Sequence, residues 1–345
     1  MSTYIIGEIG QNHNGSIKLA KQLIDISSIP IIDKFRNEEL PNIDAVKLTK
    51  RDLGCELTNS QMVQPYNTPH SFGETYGEHR EFLELSDEEH AELYEYAKSK
   101  GLDFVETLCA PKCLDILKLF TPDKLKVASR DLTNLPLLEA MAETQIPMIL
   151  STGMGGKKEL DEALNVISKH HSDISILHCV SEYPAQYQNI NLNTIPYLQE
   201  NYSEYTIGYS DHSIGIMIPV AAVALGAKII EKHITLDRGM KGSDHAGSLE
   251  PDGLWRMIRD IRNLEQSFGE HDIQISDAVE KAKYKLERSV ASKIKIKKGV
   301  EITEDMLTLL SPGDGIKWSD RQLVLGKKAK TDIEINELIY PDLVK

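Results

Sequence analysis

The sequence predicts a (β/α)8 TIM barrel, an α/β fold, followed by a small β-rich domain. Three observations lead to this fold: short apolar runs rich in β-branched residues recur, amphipathic stretches lie between most of them, and the texture changes after about residue 275. Alternating strand and helix patterns are typical of a parallel sheet with helices outside it. Eight such units over about 235 residues match the strand count and length of a TIM barrel.

The eight predicted strands follow one another along the chain. They are Tyr4–Ile9, Ile43–Leu48, Asp103–Thr107, Lys124–Ala128, Pro147–Leu150, Ile174–His178, Tyr205–Gly208 and Lys228–Lys232. Amphipathic helix patterns cover Ser86–Ser99, Leu135–Thr144, Lys157–Lys169 and Ile218–Leu225. A doubly wound sheet is the alternative, but it uses fewer strands and usually a Gly-rich first turn, and EIGQNHNG after the first strand is not GxGxxG.

Two segments interrupt this rhythm. Ile29–Asn42 lengthens the first crossover, and Arg51–Arg80 follows the second strand with little periodicity. A long loop after a barrel strand lies on the face where active sites form, so Arg51–Arg80 is either a cover over a substrate or a surface insertion. We predict a catalytic barrel over residues 1–275, a linker helix over 276–288 and the β-rich domain over 289–345. This last domain is small for an isolated core of its own.

The composition excludes several classes of protein. The 345 residues are 41% hydrophobic and 27% charged, and the formal net charge is −14, which argues against general binding to nucleic acid or anionic membranes. The start, MSTYIIGEIG, lacks the features of a secretion signal, and no apolar run is long enough to span a membrane. We therefore expect a cytoplasmic protein. The four cysteines match no zinc motif and are expected to be free thiols.

Polar side chains collect at the ends of the predicted strands, where the reactive groups of a barrel lie. A cradle for phosphate or carboxylate could form from Lys47, Thr107, Lys126, Ser129, Ser151 and Ser210. His212 and His233 follow neighbouring strands and could bind one ion, with water and substrate completing its shell. Glu8 and Asp244 could position a hydroxyl or move a proton. Each residue alone could equally be a rim residue or half of an ion pair, and the size of the set favours function.

The stretch IIEKHITLD closes the eighth predicted strand with three ionisable residues. Side chains alternate along a strand, so Glu231 and His233 share one face and Lys232 takes the other. With His233 facing inward, we expect Glu231 to be an inward carboxylate that orients an imidazole or a lysine. We expect Lys232 to point towards the helices.

Motifs along nearly the whole chain resemble those of one enzyme family. The motifs are EIGQNHNG, DAVKLTK, TYGEHREFLELSDEEH, ILSTGM, LHCVSEYP, IGYSDHS, GAKIIEKHITLD, KGSDHAGSLEPDGL and, in the tail, IKKGVEITEDMLT, PGDGI and LGKKAKTDI. Together they resemble the N-acetylneuraminate (sialic acid) synthase family, which ends in an antifreeze-like (SAF) domain. The resemblance implies a TIM barrel and a SAF domain in a domain-swapped homodimer, where each tail covers the partner's active site.

The resemblance also implies a reaction. Family members are transferases that condense phosphoenolpyruvate with an open-chain sugar aldehyde, giving a 2-keto-3-deoxy sugar acid and phosphate for surface or capsule polysaccharide. It implies a divalent metal, Mn²⁺ or Mg²⁺, on His212 and His233, which polarises the aldehyde oxygen. Implied phosphoenolpyruvate contacts are Lys47, Thr107, Lys126, Ser129, Ser151, Ser181 and Ser210. Implied sugar contacts are Asn12, Asp131, Asp244 and Ser311, and the implied catalytic residues are Glu8, Lys126, Asp131 and Asp244.

The chain departs from the family pattern mainly on the sugar side. Asp131, preceded by Arg130, stands where the family commonly has Gly-Glu, and Ser311 stands where it usually has Arg. A related nonulosonate precursor or another aldose therefore fits these departures better than N-acetylmannosamine. Two other functions stay open at this point. One is an aldolase that forms a Schiff base on Lys126, and the other is a non-catalytic homologue that binds carbohydrate or a partner protein.

Overall fold

The computed structural model describes residues 2–33 and 37–345. The chain divides into two compact units, Met1–Gly269 and Glu270–Lys345. In the first unit a closed barrel of parallel strands confirms the predicted fold class. Its strands are β1 (Tyr4–Gly10), β2 (Ala45–Lys50), β3 (Asp103–Leu108), β4 (Lys124–Val127), β5 (Met148–Ser151), β6 (Ile174–Cys179), β7 (Thr206–Asp211) and β8 (Ile229–His233).

Each barrel strand pairs with the next along the chain, and β1 closes the barrel by pairing with β8 as well as β2. The register sets which polar residues are neighbours. Glu8 lies opposite both Lys47 and His233, and Thr107 lies opposite Lys126. These residues therefore occupy adjoining positions near the C-terminal end of the barrel.

Helices cover the outside of the barrel. They are α1 (Ile17–Ser28), α2 (Tyr76–Leu83), α3 (Asp87–Ser99), α4 (Leu135–Glu143), α5 (Lys157–Ile167), α6 (Thr194–Asn201), α7 (Met217–Ala224) and α8 (Pro251–Ser267). Two of them begin with a capping box, in which the cap hydroxyl and a glutamate three residues on satisfy each other's backbone N–H groups. Thr75 and Glu78 form this box at α2, and Ser86 and Glu89 form it at α3.

The barrel interior is apolar at one end and polar at the other. The apolar layer consists of Ile6, Ala45, Val105, Ile149, Leu177 and Ile229. Two residues further along the same strands come Glu8, Lys47, Thr107, Ser151, Cys179 and Glu231. Because side chains alternate along a strand, a step of two keeps these polar groups inside the barrel and moves them towards its C-terminal end. The apolar layer thus forms the floor beneath a polar site.

The two segments that interrupt the predicted rhythm contain structure of their own. Ile31–Asp33 and Glu38–Leu40 pair as a small antiparallel ribbon in the first crossover, and the intervening part of that predicted insertion, residues 34–36, lies outside the described residues. The segment after β2 holds two one-turn helices, Leu53–Glu56 and Asn59–Met62, before α2 begins. The predicted insertion therefore holds short helices at both ends, and an isolated bridge between Pro65 and Thr75 closes the stretch between them.

The second unit is small and mixed. It contains α9 (Glu280–Leu286) and an antiparallel pair, β9 (Ser289–Ser292) with β10 (Leu307–Leu310). Its own core is built around Val290, Ile302, Val324, Ile333 and Ile339. Within the described ranges of both units, every helix is too short or too polar to cross a membrane.

Candidate active site

A cavity of about 360 Å³ lies at the C-terminal end of the barrel. A site was predicted at this end of the barrel from the polar residues at the strand ends, and most of the predicted residues line the cavity. These are Glu8, Lys47, Thr107, Lys126, Ser129, Ser151, Ser181, Ser210, His212, His233 and Asp244. Side chains contributed by all eight strands or the loops that follow them therefore meet in one space.

Two lysines and two carboxylates form a buried charged layer in this cavity. Lys47 Nζ lies 2.8 Å from Glu8 Oε2 and 3.7 Å from Glu231 Oε1, and it donates to Thr107 Oγ1 at 3.1 Å. Lys126 Nζ donates to Ser151 Oγ at 2.7 Å and lies 4.0 Å from Glu231 Oε2. The orientation of Glu231 towards both lysines agrees with its predicted inward position.

The two carboxyl groups of this layer differ in their affinity for a proton. Burial raises the pKa of Glu8 to about 7, and the charge of Glu231 adds to this rise while Lys47 opposes it. Burial acts on Glu231 in the same sense, but the ammonium groups of Lys126 and Lys47 outweigh it and lower the pKa of Glu231. Glu231 is thus a fixed anion, and Glu8 is suited to hold and release a proton near neutral pH.

His212 and His233 lie side by side, with ring centroids 5.5 Å apart. His212 Nδ1 is 2.7 Å from the carbonyl oxygen of Val180, which can only accept, so Nδ1 carries the proton and Nε2 keeps a lone pair. His233 Nδ1 is buried without a hydrogen-bond partner, and burial lowers the pKa of His233 to about 4. His233 is therefore suited to present a neutral nitrogen to a cation. Burial lowers the pKa of His212, but the contacts with Cys179 and the Val180 carbonyl outweigh it and raise that pKa, so a cation would have to displace a proton from this ring.

These two imidazoles fit a divalent metal that takes the rest of its ligands from elsewhere. Among the described residues, no group of three or more His, Cys, Asp or Glu side chains is arranged to hold a metal ion. Asp244 lines the cavity with both histidines, and it accepts a hydrogen bond from Ser243 Oγ at 2.8 Å. Water and substrate would have to complete the coordination of an ion held here.

The serine hydroxyls on one side of the cavity can lie close together because of a glycine in the loop after β5. Gly153 N donates to Ser129 Oγ at 3.0 Å. A Cβ at Gly153 would lie 2.5 Å from Ser181 Oγ and 2.8 Å from Ser129 Oγ, closer than real Cβ atoms come. Gly153 therefore lets two hydroxyls from the loops after β4 and β6 approach the loop after β5. On the opposite side, Ser210 Oγ donates to Glu231 Oε1 at 3.0 Å.

Asp131 does not line the cavity, although the resemblance implied a catalytic and sugar-binding role. Its carboxylate accepts from Arg130 Nε at 3.2 Å and from Asn134 Nδ2 at 3.3 Å, and it is Arg130 that lines the cavity. The 3-10 turn Ser129–Asp131 directs the two neighbouring side chains differently. Asp131 therefore holds Arg130, whose guanidinium lines the cavity, and the implied role of Asp131 towards the substrate stays a prediction.

Asn12 is likewise outside the cavity lining. Its buried amide Nδ2 donates to the carbonyl of Ile234 at 2.8 Å and to Ser248 Oγ at 2.9 Å. The amide nitrogen therefore ties the loop after β1 to the chain after β8, and the implied sugar contact of Asn12 stays a prediction. Ser311 belongs to the second unit, where its hydroxyl donates to the carbonyl of Leu286 at 3.0 Å, and its role towards the sugar stays a prediction.

Several lining residues were not predicted as site residues from the sequence. They are Gln11, Thr49, Arg51, Tyr66, Arg80, Arg130, Cys179 and Tyr183. Tyr183 stacks near His212, with ring centroids 4.1 Å apart. The one sequence signal for Arg80 was its place at the end of the long segment after β2, which predicted a cover but not which side chain would reach inward.

Lys232 lies on the outer face of β8, as alternation predicted. Its Nζ donates to Asp211 Oδ2 at 2.6 Å, and both side chains are fully buried. Asp211 also accepts from Tyr209 OH and from the backbone N–H and hydroxyl of Ser213. This pair joins β7 to β8 behind the two histidines and has no place in the cavity lining.

The fold and the site define a TIM-barrel protein whose C-terminal cavity combines lysines, acidic groups and a pair of imidazoles. Comparison with known families makes this more specific. Residues 40–273 match the NeuB family, and residues 287–345 match the SAF domain. The chain belongs to the NeuB family, the family of sialic acid and related nonulosonate synthases, and is thus an enzyme of the transferase type.

Named relatives cover almost the whole chain. The human N-acetylneuraminate-9-phosphate synthase is 35% identical, over 99% of this chain and 92% of the relative. The N,N'-diacetyllegionaminic acid synthase of Legionella pneumophila is 33% identical, over 96% of this chain and 92% of the relative. Among solved structures, the N-acetylneuraminic acid synthetase of Leptospira borgpetersenii is 31% identical with a TM-score of 0.66, over 82% of this chain and 90% of that one.

Proposed function

We propose that this protein condenses phosphoenolpyruvate with an open-chain sugar aldehyde to give a nonulosonate-type 2-keto-3-deoxy sugar acid and phosphate. The observation that carries this proposal is the buried layer of Lys47, Lys126 and Glu231 beside His212 and His233 in one cavity. The names of the relatives support it, since they are synthases of N-acetylneuraminate 9-phosphate and of diacetyllegionaminic acid. We also propose, from the resemblance alone, a cytoplasmic, domain-swapped homodimer that serves surface polysaccharide synthesis.

Phosphoenolpyruvate suits the lysine side of the cavity. It carries a carboxylate and a phosphate, and the lysine side offers two ammonium groups together with the hydroxyls of Thr107, Ser129 and Ser151. Hydrogen bonds from charged donors to such anions are about twice as strong as neutral ones. Lys47 and Lys126 would therefore hold the donor substrate. Glu231 orients both lysines, helps to raise the pKa of Lys47 and opposes the lowering that burial causes in the pKa of Lys126.

The condensation needs one proton to be delivered and one to be removed. The C3 carbon of phosphoenolpyruvate attacks the aldehyde carbon, a C–C bond forms, and the aldehyde oxygen takes up a proton to become a hydroxyl. Water then adds to C2 and loses one proton, which leaves a hydroxyl at C2. This hydroxyl passes its proton to the phosphate, which leaves as hydrogen phosphate when the C2–O bond to it breaks and the ketone forms. Glu8, with its pKa near 7, can give the first proton and recover one from the water.

The histidine side suits the aldehyde. Bound to His212 and His233, Mn²⁺ or Mg²⁺ would supply Lewis-acid polarisation of the aldehyde carbonyl. Asp244 lines the same side and can accept a hydrogen bond from a hydroxyl of the sugar. The two substrates would then meet between the lysine side and the histidine side, and holding them close together would speed their reaction.

The proposal is tested by incubating the purified protein with phosphoenolpyruvate, Mn²⁺ or Mg²⁺ and a panel of aldoses, including N-acetylmannosamine and diacetamido sugars. We expect phosphate release that depends on one or more aldoses, with a product whose mass equals aldose plus pyruvate. Phosphoenolpyruvate labelled with ¹⁸O at the bridging position should pass the label to phosphate, because the C2–O bond breaks. Failure of the whole panel to release phosphate would refute the proposal.

The metal site is tested separately by its metal content. His212→Ala and His233→Ala should each lose bound Mn²⁺ and lower kcat by about 100-fold or more. His271→Ala, which removes an exposed histidine of the second unit, is the matched control and should keep both. Mn²⁺ is followed by electron paramagnetic resonance of the free ion, which does not require turnover. Undiminished binding in both site variants would remove these residues as ligands.

A further inference from the structure

Three arginines line the cavity, and two of them are neutralised by carboxylates. Arg51 lies 3.4 Å from Glu56 and 3.6 Å from Glu84. Arg130 lies 3.2 Å from the same Glu56 and 3.2 Å from its neighbour in sequence, Asp131. These two guanidinium groups therefore already form ion pairs with protein carboxylates at the edge of the cavity.

Arg80 differs from both, because its hydrogen-bond partners are neutral. Its Nη1 donates to Gln11 Oε1 at 2.6 Å, and its Nε and Nη2 donate to Tyr76 OH at 2.9 and 2.8 Å. Within residues 2–33 and 37–345, no ion pair within 4 Å links it to a carboxylate. Three of its five N–H groups are used, which leaves one on each Nη. Arg80 thus brings two free donors and a positive charge without a direct ion pair to a half-buried position, and its longer-range attraction contributes to the lowered pKa of Asp244.

The same contacts fix the position of this guanidinium before any substrate arrives. Tyr76 and Arg80 lie one turn apart on α2, and the guanidinium carbon is 4.9 Å from the centre of the Tyr76 ring. Gln11 holds it from the loop after β1. A prepositioned fork of this kind binds a phosphate or carboxylate with little further loss of side-chain freedom.

The barrel topology places Arg80 on the acceptor side of the cavity. Through Gln11 it is joined to the end of β1, which is a neighbour of β8 and therefore of His233 and Asp244. Lys126 and Ser151 end strands β4 and β5, on the other side of the closed barrel. An acceptor whose aldehyde lies at the histidines would thus extend the rest of its carbon chain away from the lysines. Arg80 lies on that side of the cavity.

We propose that Arg80 binds an anionic group of the acceptor, a phosphate monoester or a carboxylate, and so selects a charged aldose over its neutral counterpart. The inference rests on the proposed function and adds the chemical class of the acceptor. A neutral sugar would leave Arg80 without a direct ion pair, whereas an anion would pair with both of its free N–H groups. Arg80 is then a specificity residue, separate from the groups that handle the donor substrate.

The test compares three forms of one aldose that carry a hydroxyl, a phosphate or a carboxylate at the terminal carbon. The wild-type protein should show a kcat/KM about 10- to 100-fold higher for one anionic form than for the neutral form. Arg80→Gln should abolish this preference mainly through KM, while kcat/KM for the neutral form changes less than about 3-fold. Arg80→Lys should keep part of the preference, because it keeps the charge but not the fork.

Arg256→Gln is the matched control, since it removes an exposed arginine of α8 that pairs with Asp252 and does not line the cavity. It should leave the preference unchanged and so excludes an effect of net charge. Equal kcat/KM values for all three forms in the wild type, or an equal loss on all three in Arg80→Gln, would overturn this inference and leave the condensation intact. Absence of turnover with every form would overturn the proposed function together with the inference.

Discussion

Replacing Glu8 by Gln tests whether burial keeps a proton on this carboxyl. Glu8 is 4% exposed and shares Lys47 with Glu231, yet its pKa rises to about 7 while that of Glu231 falls. Glutamine has nearly the same shape as a protonated glutamate and cannot ionise. Glu8→Gln should therefore preserve the packing and remove only the titration.

The magnitude follows from the difference between the folded and unfolded states. The pKa of Glu8 rises from 4.5 to about 7. Between these values the folded state retains a proton that the unfolded state has lost, so stability falls as pH rises. At about 1.4 kcal/mol per unit of pKa, this removes roughly 3 kcal/mol between pH 4 and pH 8. Relative to the wild type, Glu8→Gln should become more stable by roughly that amount across the same range.

The assay is calorimetric unfolding of metal-free protein from pH 4 to pH 8, in the presence of a chelator. For a domain of this size, roughly 3 kcal/mol corresponds to a Tm difference of about 6–12 °C. Glu231→Gln is the matched control with the opposite sign, since its lowered pKa gives stability that is present above pH 4.5 and lost only as pH falls below it. Its difference from the wild type should be a loss that shrinks between pH 5.5 and pH 8 by less than the gain of Glu8→Gln, because removing the Glu231 charge also lowers the pKa of Glu8.

A constant difference between Glu8→Gln and the wild type from pH 5 to pH 8 would refute the reasoning. So would equal slopes in the two variants, because that would mean that the two carboxyls share one environment. Either result would also withdraw Glu8 as the group that delivers and recovers the proton in the proposed reaction.

Two further predictions concern lysines of the barrel. Borohydride treatment with pyruvate should leave Lys126 unmodified by mass spectrometry, because its Nζ donates to Ser151 Oγ and to the carbonyl of Val127; a trapped adduct would favour the Schiff-base aldolase. Lys232→Met should lower the free energy of unfolding by roughly 3–5 kcal/mol, since it leaves Asp211 buried without its cation. Urea unfolding of that variant, Asp211→Asn and the double variant measures the coupling, and simple addition of the two losses would contradict the pair.

The sequence was informative wherever one strand was enough to decide the answer. Alternation along β8 predicted that Glu231 and His233 face inward and that Lys232 faces outward, and the contacts of Glu231 with two lysines and of Lys232 with Asp211 agree with that pattern. It also predicted that polar groups at successive strand ends would gather, because parallel strands of a closed barrel end at one face.

It was not informative where a loop turns or where distant segments meet. The 3-10 turn after β4 places Arg130 rather than Asp131 at the cavity wall. The residues of this turn do not reveal from their sequence which side chain points into the cavity. The amide of Asn12 donates hydrogen bonds to residues more than 200 positions away, and Arg80 donates a hydrogen bond to Gln11, 69 positions away. Neither contact has a local pattern from which it could be predicted.

The sequence by itself thus determined the barrel, the end of the barrel that bears the site and the residue types available there. Strand periodicity is local, since it follows from backbone geometry that repeats every two residues. Only the tertiary structure decided which charges are compensated. In the folded chain the pKa of Glu8 is raised, and Arg51 and Arg130 form ion pairs with carboxylates. Among the described residues, Arg80 has no carboxylate within ion-pair distance. The physical reason is that burial and charge pairing depend on neighbours in space, which the closing of the barrel brings together from distant parts of the chain.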